Sequence, residues 1–198
     1  MTQKYSETLM KIVFATTSPT RKAALAKIGV FEFIAPENVR EQSRHSGSIE
    51  QMVIENALAK AEAVASQTNE IVIGLDTVAE FNGHAMGKPI DLQDARRMLN
   101  ELSGEWHAVV TGIAVIDAAA GRRTIGVDKT RVKFKTLTSK QIDDYVATGE
   151  PLGKAAAYAI QEHARPFIET IEGSELNIVG VPFERLEEML KEFKTSLR

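Results

Sequence analysis

Ile71-Val72-Ile73-Gly74-Leu75-Asp76-Thr77-Val78-Ala79 is an apolar, β-branched run of the kind that forms a buried strand, and a chain carrying it must build a core around it. One carboxylate interrupts the run. Asp76 has no role in an apolar core, which makes it the first candidate for chemistry. The run continues into Asn82-Gly83, a pair suited to a type I′ turn because both central residues of that turn need positive φ. Ideal pairing across the turn sets Phe81 opposite His84 and, carried on, Thr77 opposite Lys88. With a period of two, Lys88 shares a face with Thr77 and not with Asp76, so a bulge or bend near Gly87 is needed to bring Lys88 and Asp76 to one ligand. The bland alternative is an ion pair at a sheet end, worth about 0–1 kcal/mol.

Ahead of this stretch, residues 1–10 are polar and are expected to form a flexible extension, with a single domain over residues 11–198. Lys11 to Ala15 reads as a short buried strand. Ser18 can cap a helix that Pro19 opens and Gly29 ends. A strand, a hydroxyl-rich turn and a helix start make a generic phosphate site, and equally an ordinary strand-to-helix turn. Phe31 to Ile34 is a candidate strand. Residues 36–47 form a polar loop with Glu37, Arg40, Glu41, Arg44 and His45. Ser48 to Gln51 is a capping box opening a helix to about Ser66, with an expected apolar stripe of Ile54, Leu58, Ala61 and Ala65. Asn56 and Lys60, four apart, share another face, which on most helices is turned to water.

Beyond the hairpin, Asp91 caps a helix expected to bury Leu92, Ala95, Leu99 and Leu102, and Trp106 to Asp117 is strongly β in composition. Val127 to Leu137 alternates as a strand with one solvated side. Thr138 to Gln141 is a second capping box, Phe167 to Ile171 a strand, and Phe183 to Phe193 a closing helix. Gly149 to Ala155 is no Walker A loop: it has three residues between its glycines, and Ala155 stands where Ser or Thr is required. Strands and helices alternate without a regular βαβ series, so the fold class is α/β with a mixed sheet.

Composition narrows the function. The 198 residues, 43% hydrophobic, suffice for a sizeable core, and a net charge of −3 leaves no basic footprint for nucleic acid, so any anionic ligand must be met locally. The absence of cysteine excludes disulfides, thiolate metal sites and a cysteine nucleophile. The four histidines form no metal-binding pair. No apolar run nears the roughly 18 residues of a membrane span, and the first ten residues lack a signal-peptide centre. A cytoplasmic protein without membrane partners is expected.

In order along the chain stand Ala15-Thr16-Thr17-Ser18-Pro19-Thr20-Arg21, Glu55-Asn56-Ala57-Leu58-Ala59-Lys60-Ala61, Leu75-Asp76-Thr77-Val78, Gly87-Lys88-Pro89, Leu102-Ser103-Gly104, Gly153-Lys154-Ala155, Tyr158-Ala159-Ile160-Gln161 and Asn177-Ile178-Val179-Gly180-Val181-Pro182. Each is weak alone. Together, from about Ile12 to Leu190, the sequence resembles the Maf family of nucleoside triphosphate pyrophosphatases, also called septum formation inhibitor Maf. The resemblance implies a two-lobed α/β fold related to inosine triphosphate pyrophosphatases, flanking helices, a central nucleotide cleft and a homodimer. It implies hydrolysis of a nucleoside triphosphate to monophosphate and pyrophosphate. It places the catalytic aspartate at Asp76, phosphate-binding cations at Arg21, Lys60 and Lys88, an acidic loop residue at Glu41 and a base-contacting amide at Gln161. Ser18, Thr20 and Thr77 join them on the substrate side, and Asp76 and Glu41 would hold Mg²⁺ or Mn²⁺.

A triphosphate entering a protein of net negative charge needs several local cations and a divalent metal, and three basic residues from separate segments meet that need. The family motif usually reads Ser-Pro-Arg-Arg, and here Thr20 replaces its first arginine. Thr77 and Gln161 agree with the family's pyrimidine-nucleotide branch while Thr20 does not, and the 7-methylguanosine branch fits worse. The expected substrates are therefore dTTP and UTP, including modified pyrimidine nucleotides. The alternatives are an inosine- or xanthosine-type triphosphatase and a nucleotide-binding regulator of cell division with little turnover.

Overall fold

The computed structural model describes residues 11–43 and 47–198. The expected extension at residues 1–10, and Arg44 and His45 of the polar loop, lie outside the described residues. In chain order the elements are β1 (Ile12–Ala15), α1 (Pro19–Leu25), β2 (Glu32–Ile34), α2 (Ile49–Ala65), β3 (Ile71–Phe81), β4 (His84–Met86), α3 (Leu92–Leu102), β5 (Trp106–Asp117), β6 (Arg122–Phe134), α4 (Ser139–Ala147), β7 (Ile168–Glu172), α5 (Glu175–Ile178) and α6 (Phe183–Leu190). Among the described residues the strands form one seven-stranded sheet in the order β2-β1-β3-β5-β6-β7, with β4 paired to β3. β1 runs parallel to β2 and β3, whereas β3, β5, β6 and β7 are antiparallel to their successive neighbours. The sheet is mixed, as expected. Among the described residues no helix is long and apolar enough to cross a membrane.

The long strands β3 and β5 serve two cores. At one end Ile71, Ile73, Leu75 and Val115 pack with Phe14, Leu25, Leu186 and Leu190; at the other Ala79 and Val109 pack with Leu99, Phe134, Tyr145 and Phe167. These are the two lobes, and the cleft opens between them. On the opposite face of β3, Val72 packs with Ala57, Ala61 and Val64 of α2. Gly74 and Gly112 allow this: a Cβ on Gly74 would stand 2.1 Å from the Ala57 carbonyl oxygen, and one on Gly112 2.2 Å from the Val53 backbone. α2 therefore rests with its backbone almost on the sheet.

That close approach corrects the expected face of α2. Its buried residues are Met52, Val53, Asn56, Ala57, Lys60, Ala61 and Val64, while Ile54, Leu58 and Ala65 are only partly covered. Ala57 and Ala61 lie over Gly74, and the Val53 backbone lies over Gly112, so the helix packs on the sheet through its backbone and short side chains there. Asn56 and Lys60 go inward because a buried carboxylate awaits them, not outward to water. α1 ends at Leu25, before Gly29, and β6 begins at Arg122, ahead of Val127. Leu92 is exposed at the start of α3, and Met98 takes the buried position instead.

The Asn82-Gly83 turn forms with φ of 50° and 78°, and Phe81 lies opposite His84. The pairing does not reach Lys88. β4 ends at Met86, and Thr77 is paired instead with Thr111 of β5. After Met86 the chain leaves the ladder, and the Gly87 carbonyl accepts from the Ala156 N–H at 3.0 Å. The departure that Lys88 requires is thus a strand end held by a distant loop, not a bulge.

Candidate active site

The alternation of β3 sends Asp76 and Thr77 to opposite faces of the sheet. Asp76 follows Gly74 on the α2 side, where Asn56 Nδ2 donates to its Oδ2 at 2.9 Å and Lys60 Nζ to its Oδ1 at 2.6 Å. Lys60 also reaches Glu41 Oε1 at 2.7 Å, so two carboxylates share one ammonium. Asn56 is fixed in turn by a reciprocal pair with Gln42: its Oδ1 accepts from the Gln42 N–H at 2.8 Å, and its Nδ2 donates to the Gln42 carbonyl at 2.9 Å. One helix face therefore orients the strand carboxylate and anchors the loop that carries Glu41.

On the other face, Thr77 Oγ1 lies 3.0 Å from Thr111 Oγ1 and accepts from Arg21 Nη2 at 3.1 Å. The Arg21 guanidinium is buried and spends its donors on neutral oxygens: Nε on the Gly180 carbonyl at 2.8 Å and Nη1 on Thr16 Oγ1 at 3.3 Å. Burial lowers its pKa from the ordinary value, opposed by the charges of Asp76 and Glu41. An arginine in such a setting keeps its charge and is directed without being neutralised by direct contact. Gly180 is itself held through Asn177, whose Nδ2 donates to the Val109 carbonyl at 3.2 Å and to Thr130 Oγ1 at 3.1 Å.

Both faces drain into one cavity of about 540 Å³ between the lobes. Ser18, Thr20 and Arg21 border it from the β1–α1 turn, where Ser18 Oγ accepts from the Arg21 N–H at 3.3 Å as the helix cap. Glu41, Lys60, Asp76, Thr77, Lys88 and Gln161 line it as well. Every residue that the sequence singles out for the site is thus brought to the same space. The sequence pattern turns Asn56 to water and assigns no role to Thr16, Thr111, Lys154 or Tyr158. Their signals were slight: a polar residue one turn before Lys60, and a Gly-Lys pair outside any recognised loop.

The carboxylates suit a divalent cation. Asp76 and Glu41 converge on a single cationic centre at 2.6 and 2.7 Å, and both are hard oxygen donors. Among the described residues no three His, Cys, Asp or Glu stand together as a metal cage. A Mg²⁺ or Mn²⁺ held by these two would complete its shell with phosphate oxygens and water, as Mg²⁺ commonly does.

A cavity that gathers cations from separate segments around one fixed carboxylate suits an anionic ligand. The family model described as Maf-like protein matches residues 11–193, and the chain belongs to that family. It is 44% identical over 186 residues to a dTTP/UTP pyrophosphatase of Pelotomaculum thermopropionicum, covering 93% of this chain and 97% of that one. It is 41% identical over 197 residues to the dTTP/UTP pyrophosphatase of Acetivibrio thermocellus, covering 96% and 98%. With the protein of that name from Gloeobacter violaceus the identity is 40% over 185 residues, covering 93% and 96%. Among solved structures, a HAM1 protein from Coxiella burnetii matches with a TM-score of 0.46 at 17% identity, covering 64% of this chain and 73% of that one.

Proposed function

We propose that the chain is a nucleoside triphosphate pyrophosphatase that converts dTTP and UTP to the monophosphate and pyrophosphate. The observation that carries the reading is Asp76 itself, a buried carboxylate aimed by Asn56 and Lys60 into a cavity bordered by Arg21 and Lys88. Membership of the Maf-like family, and relatives at about 40% identity named for that activity, support it.

In this reading Arg21, Lys60 and Lys88 bind the triphosphate and hold the α-phosphorus over Asp76. Asp76 orients a water and takes its proton as the oxygen attacks, and the bond between the α-phosphorus and its bridging oxygen to the β-phosphorus breaks. Arg21 and Lys88 meet the charge that gathers on the departing pyrophosphate. Asp76 and Glu41 would hold a divalent cation, which when bound would supply further neutralisation and acidify a bound water. Ser18 and Thr20 offer hydroxyls at the cavity edge, and Gln161 offers both a donor and an acceptor to a pyrimidine edge. Thr77 positions Arg21. We place this activity in one unit over residues 11–198, acting as a homodimer with Mg²⁺ or Mn²⁺.

The test is a profile of dTTP, UTP, dCTP, ITP and XTP at equal concentration with products separated. The expected outcome is pyrophosphate from dTTP and UTP ahead of the others, abolished by excess EDTA. Orthophosphate as first product, full turnover in EDTA, or a preference for ITP and XTP would refute it.

A further inference from the structure

Gly153, Lys154 and Ala155 take no part in the reading above, yet they line the same cavity as Asp76. Their loop has an unusual backbone. Ala156 and Ala157 are both fully buried and both left-handed, at φ of 52° and 61°, a region that non-glycine residues seldom occupy and that persists only where surrounding contacts enforce it. One such contact is the Ala156 N–H donating to the Gly87 carbonyl at 3.0 Å, one residue before Lys88. Two Gly-Lys segments far apart in sequence are thus tied backbone to backbone, and both lysines border one cavity.

The charges explain what a second lysine bordering that cavity would do. In the free chain Lys60 is shared between Asp76 and Glu41, so its charge is already engaged when a phosphate arrives. Arg21 and Lys88 remain against a strongly anionic triphosphate. Lys154 pairs with Glu162 at 3.0 Å, and the Glu162 side chain is 46% exposed against 25% for Lys154. A carboxylate on the solvent side holds its partner weakly, and a phosphate arriving from the cavity can displace it.

We propose that Lys154 is a further phosphate-binding residue, released from Glu162 when a triphosphate enters, and that Glu162 is the competing carboxylate that restrains it in the free chain. The proposal rests on the triphosphate reading of the cavity. Its distinguishing feature is sign: removing Lys154 must weaken phosphate binding, and removing the charge of Glu162 must strengthen it. An ion pair that only braces the loop gives both variants the same loss of stability and leaves affinity alone.

The experiment is calorimetric titration of the full chain, Lys154→Met and Glu162→Gln with inorganic tripolyphosphate, with melting temperatures and dTTP turnover measured on the same samples. Lys154→Met should bind tripolyphosphate about tenfold more weakly, as for loss of one charge-assisted hydrogen bond, and Glu162→Gln several-fold more tightly. Unchanged affinities, shifts in the same direction, or no binding by the unaltered chain overturn the proposal. Absence of dTTP turnover in the unaltered chain would instead strike the triphosphatase reading, with the tripolyphosphate affinities still deciding the role of Lys154.

Discussion

Replacing Lys60 with methionine keeps the length of the stem and removes the ammonium that joins the site together. Two ion pairs are lost, and they are unequal. The Glu41 side chain is 58% exposed, so its contact with Lys60 is screened and worth about 0–1 kcal/mol. The Asp76 side chain is 12% exposed, and stripping a buried carboxylate of its cation typically costs about 3–5 kcal/mol, because among the described residues the charge stays behind with the amide donor of Asn56. Urea unfolding of Lys60→Met should therefore show a loss of about 3–5 kcal/mol. The double variant Lys60→Met with Asp76→Asn should recover much of it, since no uncompensated charge remains. Magnesium should also restore the single variant: an ion binding the folded carboxylates at a hundred times its Kd returns about 2.7 kcal/mol. A Lys60→Met protein within 1 kcal/mol of the unaltered chain, or a double variant no better than the single, would refute the coupling between Lys60 and Asp76.

Two further outcomes follow from packing and burial. Gly112→Ala places a methyl 2.2 Å from the Val53 backbone and must lift α2, so we expect a loss of about 1–3 kcal/mol together with a raised KM, because Asn56 and Lys60 ride on that helix. Gly87→Ala, where a Cβ meets nothing within 4 Å, should leave the melting temperature unchanged, and equal losses in the two variants would contradict the argument. Burial among Phe134 and Tyr158 pushes the His107 pKa down from 6.5 to about 4. The folded state thus binds fewer protons than the unfolded one between those values, and stability present above pH 6.5 is lost as pH falls towards 4, by roughly 3 kcal/mol in all. His107→Gln should flatten that segment of the stability curve, and an unchanged slope would remove His107 as its source.

Elements whose pattern is local were legible in the sequence. The β-branched density of Trp106 to Asp117 marks β5 to the residue, and Asn82-Gly83 dictates its own turn. The face of α2 was not legible, because what decides it lies on other strands: Gly74 and Gly112 let its backbone come close at Ala57 and Val53, and Asp76 draws Asn56 and Lys60 inward. The departure of the chain near Gly87 is legible as a need, but its cause is not, since the bond made there comes from Ala156, nearly seventy positions on. The gathering of Ser18, Arg21, Glu41, Asp76 and Gln161 around one cavity was expected from resemblance alone. No local pattern could bring Glu41 to Lys60, because the loop between them carries no periodicity of its own.

The central claim is that Asp76 drives cleavage between the α- and β-phosphates. The direct measurement is pyrophosphate released from dTTP with Mg²⁺, per folded molecule, by the unaltered chain and by Asp76→Asn, with the folded fraction of each fixed by its unfolding curve. Asp76→Asn keeps the shape and one acceptor for Asn56 and Lys60 while removing the charge and the basicity. The account predicts pyrophosphate as the first product of the unaltered chain and a fall in kcat of about 10²–10⁴-fold in the variant. A folded Asp76→Asn protein that releases pyrophosphate at nearly the unaltered rate would contradict it.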